Sequence, residues 1–230
     1  MGKIAIVGPS GAGKSNLARS LREAVPEARY VPMSVLSTVI PLTLMINPPL
    51  GCEQMKSLPG VDEYLDRIFA VGSDVKLGNF SREEKDAHIV RTAGIGGNNV
   101  GFYGPEIFAR IAIRATKDLD CPAIIDNVPK LDSVRELVNQ QDIYVVGLDC
   151  DWKTRLKRQP VEVGDRTRSG EDLEAQMRRT DEIFHSHESL AYLRQVEAHS
   201  HGARARVFNT SGVNFDNREI VDYLVGILRR

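Results

Sequence analysis

The sequence predicts an α/β protein in which a parallel sheet of about five strands carries helices on both faces. Short apolar runs alternate with stretches of helical periodicity, which is typical of right-handed βαβ units. The 230 residues, 42% of them hydrophobic, can bury the core of one medium-sized domain spanning 1–230. The predicted strands are 4–7, 28–32, 121–126, 143–148 and 204–209; the clearest predicted helices are 14–24, 104–119, 131–139, 171–184 and 220–228.

Charge and cysteine content narrow the class of protein. The net charge is −1 and the isoelectric point about 6.5, so a large basic surface for nucleic acid is not expected. Cys52, Cys121 and Cys150 are odd in number and lack metal-ligand spacing, which predicts reduced thiols and a cytoplasmic protein. No signal peptide or membrane-spanning stretch is recognisable.

A glycine-rich turn joins the first predicted strand to the first helix. It reads Gly8-x-x-x-x-Gly13-Lys14-Ser15, the pattern that cradles phosphates. Side chains at Gly8, Gly11 or Gly13 would obstruct the close approach of the backbone, and some of these positions need positive φ. The helix N-terminus adds N–H groups and partial positive charge.

The residues after the glycines supply the specific groups. Lys14 is predicted to bind the β- and γ-phosphates, and the Ser15 hydroxyl is predicted to bind Mg²⁺. ATP and Mg²⁺ are the expected cofactors. The full set predicted to contact the nucleotide here is Gly8, Pro9, Ser10, Gly11, Ala12, Gly13, Lys14, Ser15 and Asn16.

Asp126 ends an apolar predicted strand, a common arrangement in proteins with a phosphate loop. Its carboxylate is predicted to lie beside Ser15 and to hold Mg²⁺, directly or through water. Many strands end in Asp simply because a turn follows, which is the structural alternative.

Residues 33–103 are predicted to form a helical excursion from the sheet. Such insertions at the carboxyl ends of strands are suited to substrate selection and closure. A plain helical decoration is the alternative, because insertions vary freely.

An arginine-rich segment is predicted to form a lid over 155–184. Phosphoryl transfer needs positive charge around the moving group and little covalent help from the protein. Arg158, Arg166 and Arg168 are predicted to supply it, together with Lys14 and Asp126 as catalytic residues. Arg178 and Arg179 are predicted to lie on a solvated helix face, paired with neighbouring acids.

Two His-x-His pairs suggest metal binding at first sight. Their one-residue spacing would point the rings apart on a helix, and no Cys or carboxylate cluster completes a ligand set. His185, His187, His199 and His201 are therefore predicted to be surface residues.

The order of these motifs resembles the small-molecule kinases that carry this phosphate loop, especially nucleoside monophosphate kinases and dephospho-CoA kinase-like proteins. The resemblance rests on residues 8–15, 103–105, 124–130, 143–158, 164–168, 179–182 and 207–212. It implies an ATP·Mg donor, an acceptor site between the helical excursion and the sheet, and lid arginines at 158, 166 and 168. It also implies that the segment from Asn209 to Gly212 lies near the adenine.

The chain departs from this pattern around the acceptor. It has Pro32-Met33-Ser34-Val35 where similar sequences often carry an acidic residue, and Asp126-Asn127-Val128-Pro129-Lys130 where they have Asp-Gly-x-Arg. The resemblance therefore implies a donor site more firmly than an acceptor.

The leading hypothesis is an ATP-dependent kinase that acts on a nucleotide or nucleotide-like small molecule, as a monomer or homodimer. One alternative is a nucleotide-gated regulatory ATPase without an acceptor. Another is a kinase for a modified base or end of a nucleic acid, which the near-neutral charge disfavours. The sequence leaves open the acceptor, the choice between ATP and GTP, and the pathway.

Overall fold

A computed structural model of the protein describes residues 1–33, 106–117, 119–128, 130–158, 170–212 and 216–230. Its strands in these ranges are β1 (Lys3–Val7), β2 (Arg29–Pro32), β3 (Ala123–Asp126), β4 (Ile143–Asp149) and β5 (Ala205–Asn209). The helices are α1 (Lys14–Ala24), α2 (Ile107–Thr116), α3 (Leu131–Asn139), α4 (Trp152–Arg158), α5 (Gly170–Phe184), α6 (Ser186–Ser200) and α7 (Arg218–Leu228).

The five strands form one parallel sheet in the order β2-β3-β1-β4-β5. The first strand lies at its centre: Ile6 pairs with Asp126 of β3 on one side and with Val146 of β4 on the other. All five residues of β1 are buried, as expected for a strand covered on both faces. The phosphate loop therefore begins at the middle of the sheet.

Helices cover both faces of the sheet and give three layers. On one face α1 and α7 bury Leu17, Leu21 and Leu224 against Ile4 and Val146. On the other face α2, α3 and α6 enclose a second core; its members include Ala5, Ile111, Ile125, Leu137, Val145 and Leu193. The predicted α/β architecture with a parallel sheet of five strands is confirmed.

Helix α6 is the element that the sequence did not predict. Its buried face consists of Ser186, Ser189, Leu190 and Leu193, so only two leucines mark it. Small polar residues fit there because the helix lies close to β4 at Gly147. A Cβ on that glycine would lie 3.0 to 3.2 Å from side-chain atoms of Val207, Leu190 and Leu193.

The predicted helical excursion at 33–103 lies outside the described residues, apart from Met33, which is fully buried. The predicted lid lies in part outside them too, because residues 159–169 are not described. In the described part of the chain, no helix combines the length and apolar character needed to cross a membrane.

Candidate functional site

The phosphate loop runs from Gly8 to Gly13 between β1 and α1, with its three glycines at positive φ. The φ values are 153° for Gly8, 79° for Gly11 and 97° for Gly13, which confirms the sequence prediction. Two of these glycines also lie against other elements. A Cβ on Gly8 would be 2.5 Å from the Leu148 carbonyl oxygen, and a Cβ on Gly11 would be 3.1 Å from that of Arg155.

Lys14 and the start of α1 face the concave side of this loop. The Lys14 Nζ donates hydrogen bonds to the carbonyl oxygens of Gly8 (2.7 Å) and Pro9 (2.8 Å), so the ammonium lies across the loop mouth. Gly13 is the N-cap residue of α1 and provides no side-chain cap. The first-turn N–H groups thus have no capping side chain, which suits an anionic ligand.

This parallel sheet, with a phosphate loop after its central strand, defines the P-loop NTPase fold. No protein-family model matches the chain, and no curated protein matches it. Among solved structures it is similar to TT1252 from Thermus thermophilus, with 16% identity over 98% of this chain and 96% of the other, and a TM-score of 0.46.

Two further solved structures resemble this chain with comparable sequence identity and TM-score. One is a sugar kinase from Janibacter, with 10% identity, 100% and 95% coverage, and a TM-score of 0.48. The other is shikimate kinase from Bacteroides thetaiotaomicron, with 12% identity, 99% and 96% coverage, and a TM-score of 0.43. The fold assignment itself rests on the sheet order and the loop geometry.

Thr210 ties the segment after β5 to the loop. Its hydroxyl donates to the carbonyl oxygens of Ala12 (2.9 Å) and Asp149 (3.1 Å), and its N–H donates to the latter at 2.7 Å. The residue is buried, with 2% of its surface exposed. This contact places the segment 210–212 directly beside the phosphate loop.

Arg158 ends α4 at the rim of the loop. Its Nη2 donates to the carbonyl oxygens of Thr210 (2.5 Å) and Gly212 (2.6 Å), and Nη1 donates to the Cys150 Sγ at 3.6 Å. A Cβ on Gly13 would be 3.8 Å from Nη1. The structure thus places Arg158 at the predicted site and in contact with the segment expected near the adenine.

Asp126 lies on the sheet face covered by α1. Ile124, two residues earlier on β3, packs in the core beneath α1, and alternate strand residues share a face. The Tyr30 hydroxyl donates to Asp126 Oδ2 at 2.7 Å. The other oxygen, Oδ1, is buried and has no hydrogen-bond partner in the described part of the chain.

The environment of Tyr30 keeps its hydroxyl protonated. Burial, then the charge of Asp126 and the hydrogen bond to it, raise the pKa of Tyr30 far above its ordinary value. The phenol therefore acts as a permanent donor to the carboxylate. This leaves Oδ1 of Asp126, together with the exposed Ser15 hydroxyl on the same face, as a donor set that fits Mg²⁺.

A cavity of about 680 Å³ extends from the loop over both faces of the sheet. One arm lies on the side of α1 and α7 and the other on the side of α6. The described residues of the first arm include Asn16, Leu17, Ser20, Thr210, Asn217 and Ile220; those of the second include Asn127, Val128, Lys130, Thr180, Phe184 and Ser189. The lining residues therefore come from both sides of the sheet, with the phosphate loop between them.

Lys130 gives the second arm its positive charge. It is the N-cap residue of α3 at φ 72°, and its Nζ donates to the Ile183 carbonyl oxygen. The ammonium also lies 5.8 Å from the centre of the Phe184 ring. Burial lowers the pKa of Lys130 below its ordinary value, and an anion beside the ammonium would offset this by favouring the charged form.

Most of the predicted site residues lie in the part of the chain that the structure describes. Asn209 ends β5 and is exposed, with its Oδ1 accepting from the Ser211 N–H at 2.9 Å. Arg166 and Arg168 fall outside the described residues. His185, His187, His199 and His201 are all exposed, as predicted, and the described residues contain no cluster of three or more metal-ligating side chains.

The sequence did not predict that Lys130 would line the cavity or that Arg155 and Asp181 would contact the phosphate loop. Arg155 looked like one more member of a basic segment, and Asp181 like one of several exposed acids. Both are in fact buried against the phosphate loop. No local pattern marks them, because their partner Ser10 lies 145 residues before Arg155 and 171 residues before Asp181.

Proposed function

We propose that this protein is an ATP-dependent kinase that transfers the γ-phosphoryl group to a nucleotide or nucleotide-like small molecule. The observation that carries the proposal is the cavity with two arms meeting at the phosphate loop. A hydrolase needs only the donor and water beside that loop. A transferase needs a second binding arm as well, and this one carries a positive charge at Lys130.

In this proposal the donor lies along the loop and the first arm. Lys14 and the loop amides bind the β- and γ-phosphates, while the segment from Asn209 to Gly212 borders the adenine. Ser15 and Asp126 hold Mg²⁺, which would neutralise charge that builds up on the phosphate oxygens. Arg158 at the rim stabilises the same charge, as Arg166 and Arg168 are proposed to do.

The chemistry exchanges one phosphorus–oxygen bond for another. The bond between the γ-phosphorus and the bridging oxygen of ATP breaks, and a bond to an acceptor oxygen forms. A phosphate acceptor is mostly dianionic at neutral pH, so its attacking oxygen carries no proton. A hydroxyl acceptor would give its proton to Asp126, provided that this carboxylate holds Mg²⁺ through water, so that Oδ1 is not itself a metal ligand.

Two features support a small anionic acceptor in the cell interior. Lys130 suits a phosphate or carboxylate on the acceptor, and near-neutral net charge does not suit a long polyanion. Cys121 and Cys150 are free thiols, in keeping with a reducing, cytoplasmic location.

The test is an acceptor screen with ATP·Mg and, in parallel, GTP·Mg. ADP release is coupled to a spectroscopic readout while nucleoside monophosphates, nucleosides and dephospho-CoA are offered in turn. One class of acceptor should raise turnover well above the acceptor-free rate. ATP turnover that no acceptor changes would indicate the regulatory ATPase instead, and salt-sensitive phosphorylation of an oligonucleotide would indicate a nucleic-acid kinase.

In the same assay, Lys130→Met distinguishes the contribution of the second arm from that of the first. We expect the KM of the acceptor to rise about tenfold or more, with ATP binding little changed, because only the second arm loses a charged hydrogen-bond donor. Lys117→Met is the matched control, since Lys117 is exposed at the end of α2. An acceptor KM unchanged by Lys130→Met would place the acceptor elsewhere.

A further inference from the structure

Arg155 is among the largest fully buried side chains in the described part of the chain, with 2% of its surface exposed. Its Nη1 donates to Asp181 Oδ2 at 2.6 Å and to the carbonyl oxygen of Ser10 at 3.1 Å. Its Nε is buried without a hydrogen-bond partner in the described residues. A buried ion pair with one unsatisfied donor contributes little net stability, so its position against the loop is the more informative fact.

Asp181 completes the contact from the other side. It is 5% exposed, and its Oδ1 accepts a hydrogen bond from the Ser10 N–H at 3.3 Å. The peptide groups on both sides of Ser10 are thus held by one ion pair: the N–H by the carboxylate and the C=O by the guanidinium. Ser10 lies within the phosphate loop, between Gly8 and Gly11.

Trp152 orients the guanidinium of this pair. It lies one turn before Arg155 on α4, and its ring centre is 4.7 Å from the Arg155 Cζ. The exposed Arg178 of α5 lies against the same ring at 4.4 Å. Trp152 is the single tryptophan of the chain, so its fluorescence reports on this contact.

We propose that Arg155 and Asp181 form a clamp that positions the phosphate loop and cancels a negative charge beside it. Asp181 holds the loop by a backbone N–H, but its carboxylate would repel a polyphosphate. Arg155 holds the adjacent carbonyl and neutralises that carboxylate. Both are positioning residues, because they act through Ser10 and not by touching the phosphates.

The charge argument predicts unequal effects of two single variants on nucleotide binding: a clear loss for Arg155→Met and no comparable loss for Asp181→Asn. Arg155→Met leaves a bare carboxylate bonded to the loop and should weaken the affinity for ADP about tenfold or more. Asp181→Asn keeps an oxygen for the Ser10 N–H and leaves an uncompensated cation. It should keep the affinity within about threefold of the original protein or increase it, because positive charge attracts phosphate.

Both substitutions should lower the Tm, since each leaves half of a buried ion pair. The double variant Arg155→Met/Asp181→Leu removes both charges and should recover affinity to within about threefold of the original protein. Arg155→Lys keeps the positive charge and should retain most of the ADP affinity that Arg155→Met loses. Arg178→Met is the matched control: it removes an exposed arginine from the same tryptophan and should leave the affinity unchanged.

The experiment is titration calorimetry of each variant with ADP·Mg, with Trp152 fluorescence and thermal unfolding as parallel readouts. If Arg155→Met fails to fold, Arg155→Lys and Asp181→Asn still test the prediction. Parallel losses of affinity and Tm in Arg155→Met and Asp181→Asn would overturn the clamp and leave a purely structural ion pair.

The inference rests on the proposed function only in assuming that the loop binds nucleotide phosphates. A loss of ADP affinity in Arg155→Met without a comparable loss in Asp181→Asn, found in a protein without kinase activity, would refute the kinase proposal and support the clamp. Kinase activity combined with parallel losses would do the reverse. A chain that binds neither ADP nor ATP would overturn both.

Discussion

The two oxygens of Asp126 have different environments. Oδ2 accepts from the Tyr30 hydroxyl at 2.7 Å, whereas Oδ1 is buried with no partner in the described residues. A buried carboxylate oxygen without a donor is costly unless a cation or a proton reaches it. Tyr30 therefore fixes the plane of the carboxylate and leaves Oδ1 as the oxygen that would hold the proposed Mg²⁺.

Tyr30→Phe tests this orienting role. Removing a hydrogen bond to a metal-binding group typically lowers metal affinity by about ten- to a hundredfold, so the Mg²⁺ concentration for half-maximal activity should rise accordingly. The affinity of Tyr30→Phe for ADP, measured by calorimetry at limiting Mg²⁺, should fall by a similar factor. Tyr223→Phe, which removes a hydroxyl from the Tyr144 contact on β4, should change neither value. An unaltered Mg²⁺ requirement in Tyr30→Phe would show that the phenol only packs there.

Among single residues, the sequence predicted the glycines of the phosphate loop, whose role lies in the backbone, and the residues that directly follow them. The positive φ at Gly8, Gly11 and Gly13 follows from the need for close approach, and the local spacing shows it. Tyr30 was not predicted, because its hydroxyl meets a residue 96 positions later in the chain. The partner of a side chain across two strands depends on the strand order, which no local pattern records.

Helix α6 packs closely on β4 because the residue beneath it, Gly147, has no side chain. Gly147 of β4 lets α6 and β5 come close, with Leu190, Leu193 and Val207 around it. The sequence did not predict this helix because its buried face holds Ser186 and Ser189 in place of larger apolar residues. In contrast, α1 and α3 were predicted with the observed bounds, since leucines and valines mark their inner faces clearly.

Gly147→Ala tests that close approach. An added methyl group meets three side chains at 3.0 to 3.2 Å, so overpacking should lower the free energy of unfolding by about 1–3 kcal/mol. Gly226→Ala is the control, because nothing lies within 4 Å of the added Cβ on α7. A helical glycine replaced by alanine should instead stabilise by about 0.5–1 kcal/mol. Chemical denaturation measures both; equal effects of the two substitutions would contradict the packing described.

An ion pair lies at the start of the two central strands. Lys3 of β1 is buried, and its Nζ donates to Asp142 Oδ2 at 2.6 Å, just before β4. The hydrogen bond from Lys3 is the main cause that lowers the pKa of Asp142 below its ordinary value. The pair joins residues 139 positions apart and fixes the start of the β1–β4 register.

This ion pair predicts a dependence of stability on pH. A carboxyl group whose pKa is lower in the folded state stabilises the fold above its unfolded pKa of about 3.9, and that contribution disappears as the pH falls through the folded value. Asp142→Asn should therefore cost about 1 kcal/mol at pH 7, where solvent screens the exposed carboxylate. The difference from the original protein should shrink below about pH 4. Denaturant unfolding at pH 7, 5 and 3 measures it, with the exposed Asp120→Asn as control; a constant difference would contradict the assignment.

At the scale of the fold, periodicity predicted the strands and the layers because burial on both faces leaves a continuous apolar run. The arms of the cavity were not predicted. One arm lies beside α1 and α7 and the other beside α6, on opposite faces of the sheet, and that arrangement depends on the strand order and the packing of distant segments. The clamp at Ser10 belongs to the same class of long-range contact.

The contact between Thr210 and Ala12 has a consequence for the order of folding. The phosphate loop is synthesised early, but its hydrogen bond from Thr210 comes from a residue 198 positions later. A nascent chain carries the whole glycine motif long before that partner leaves the ribosome. Long-range parallel pairing is also slow to form. The geometry of the phosphate loop should therefore form late in folding, in step with the docking of β5.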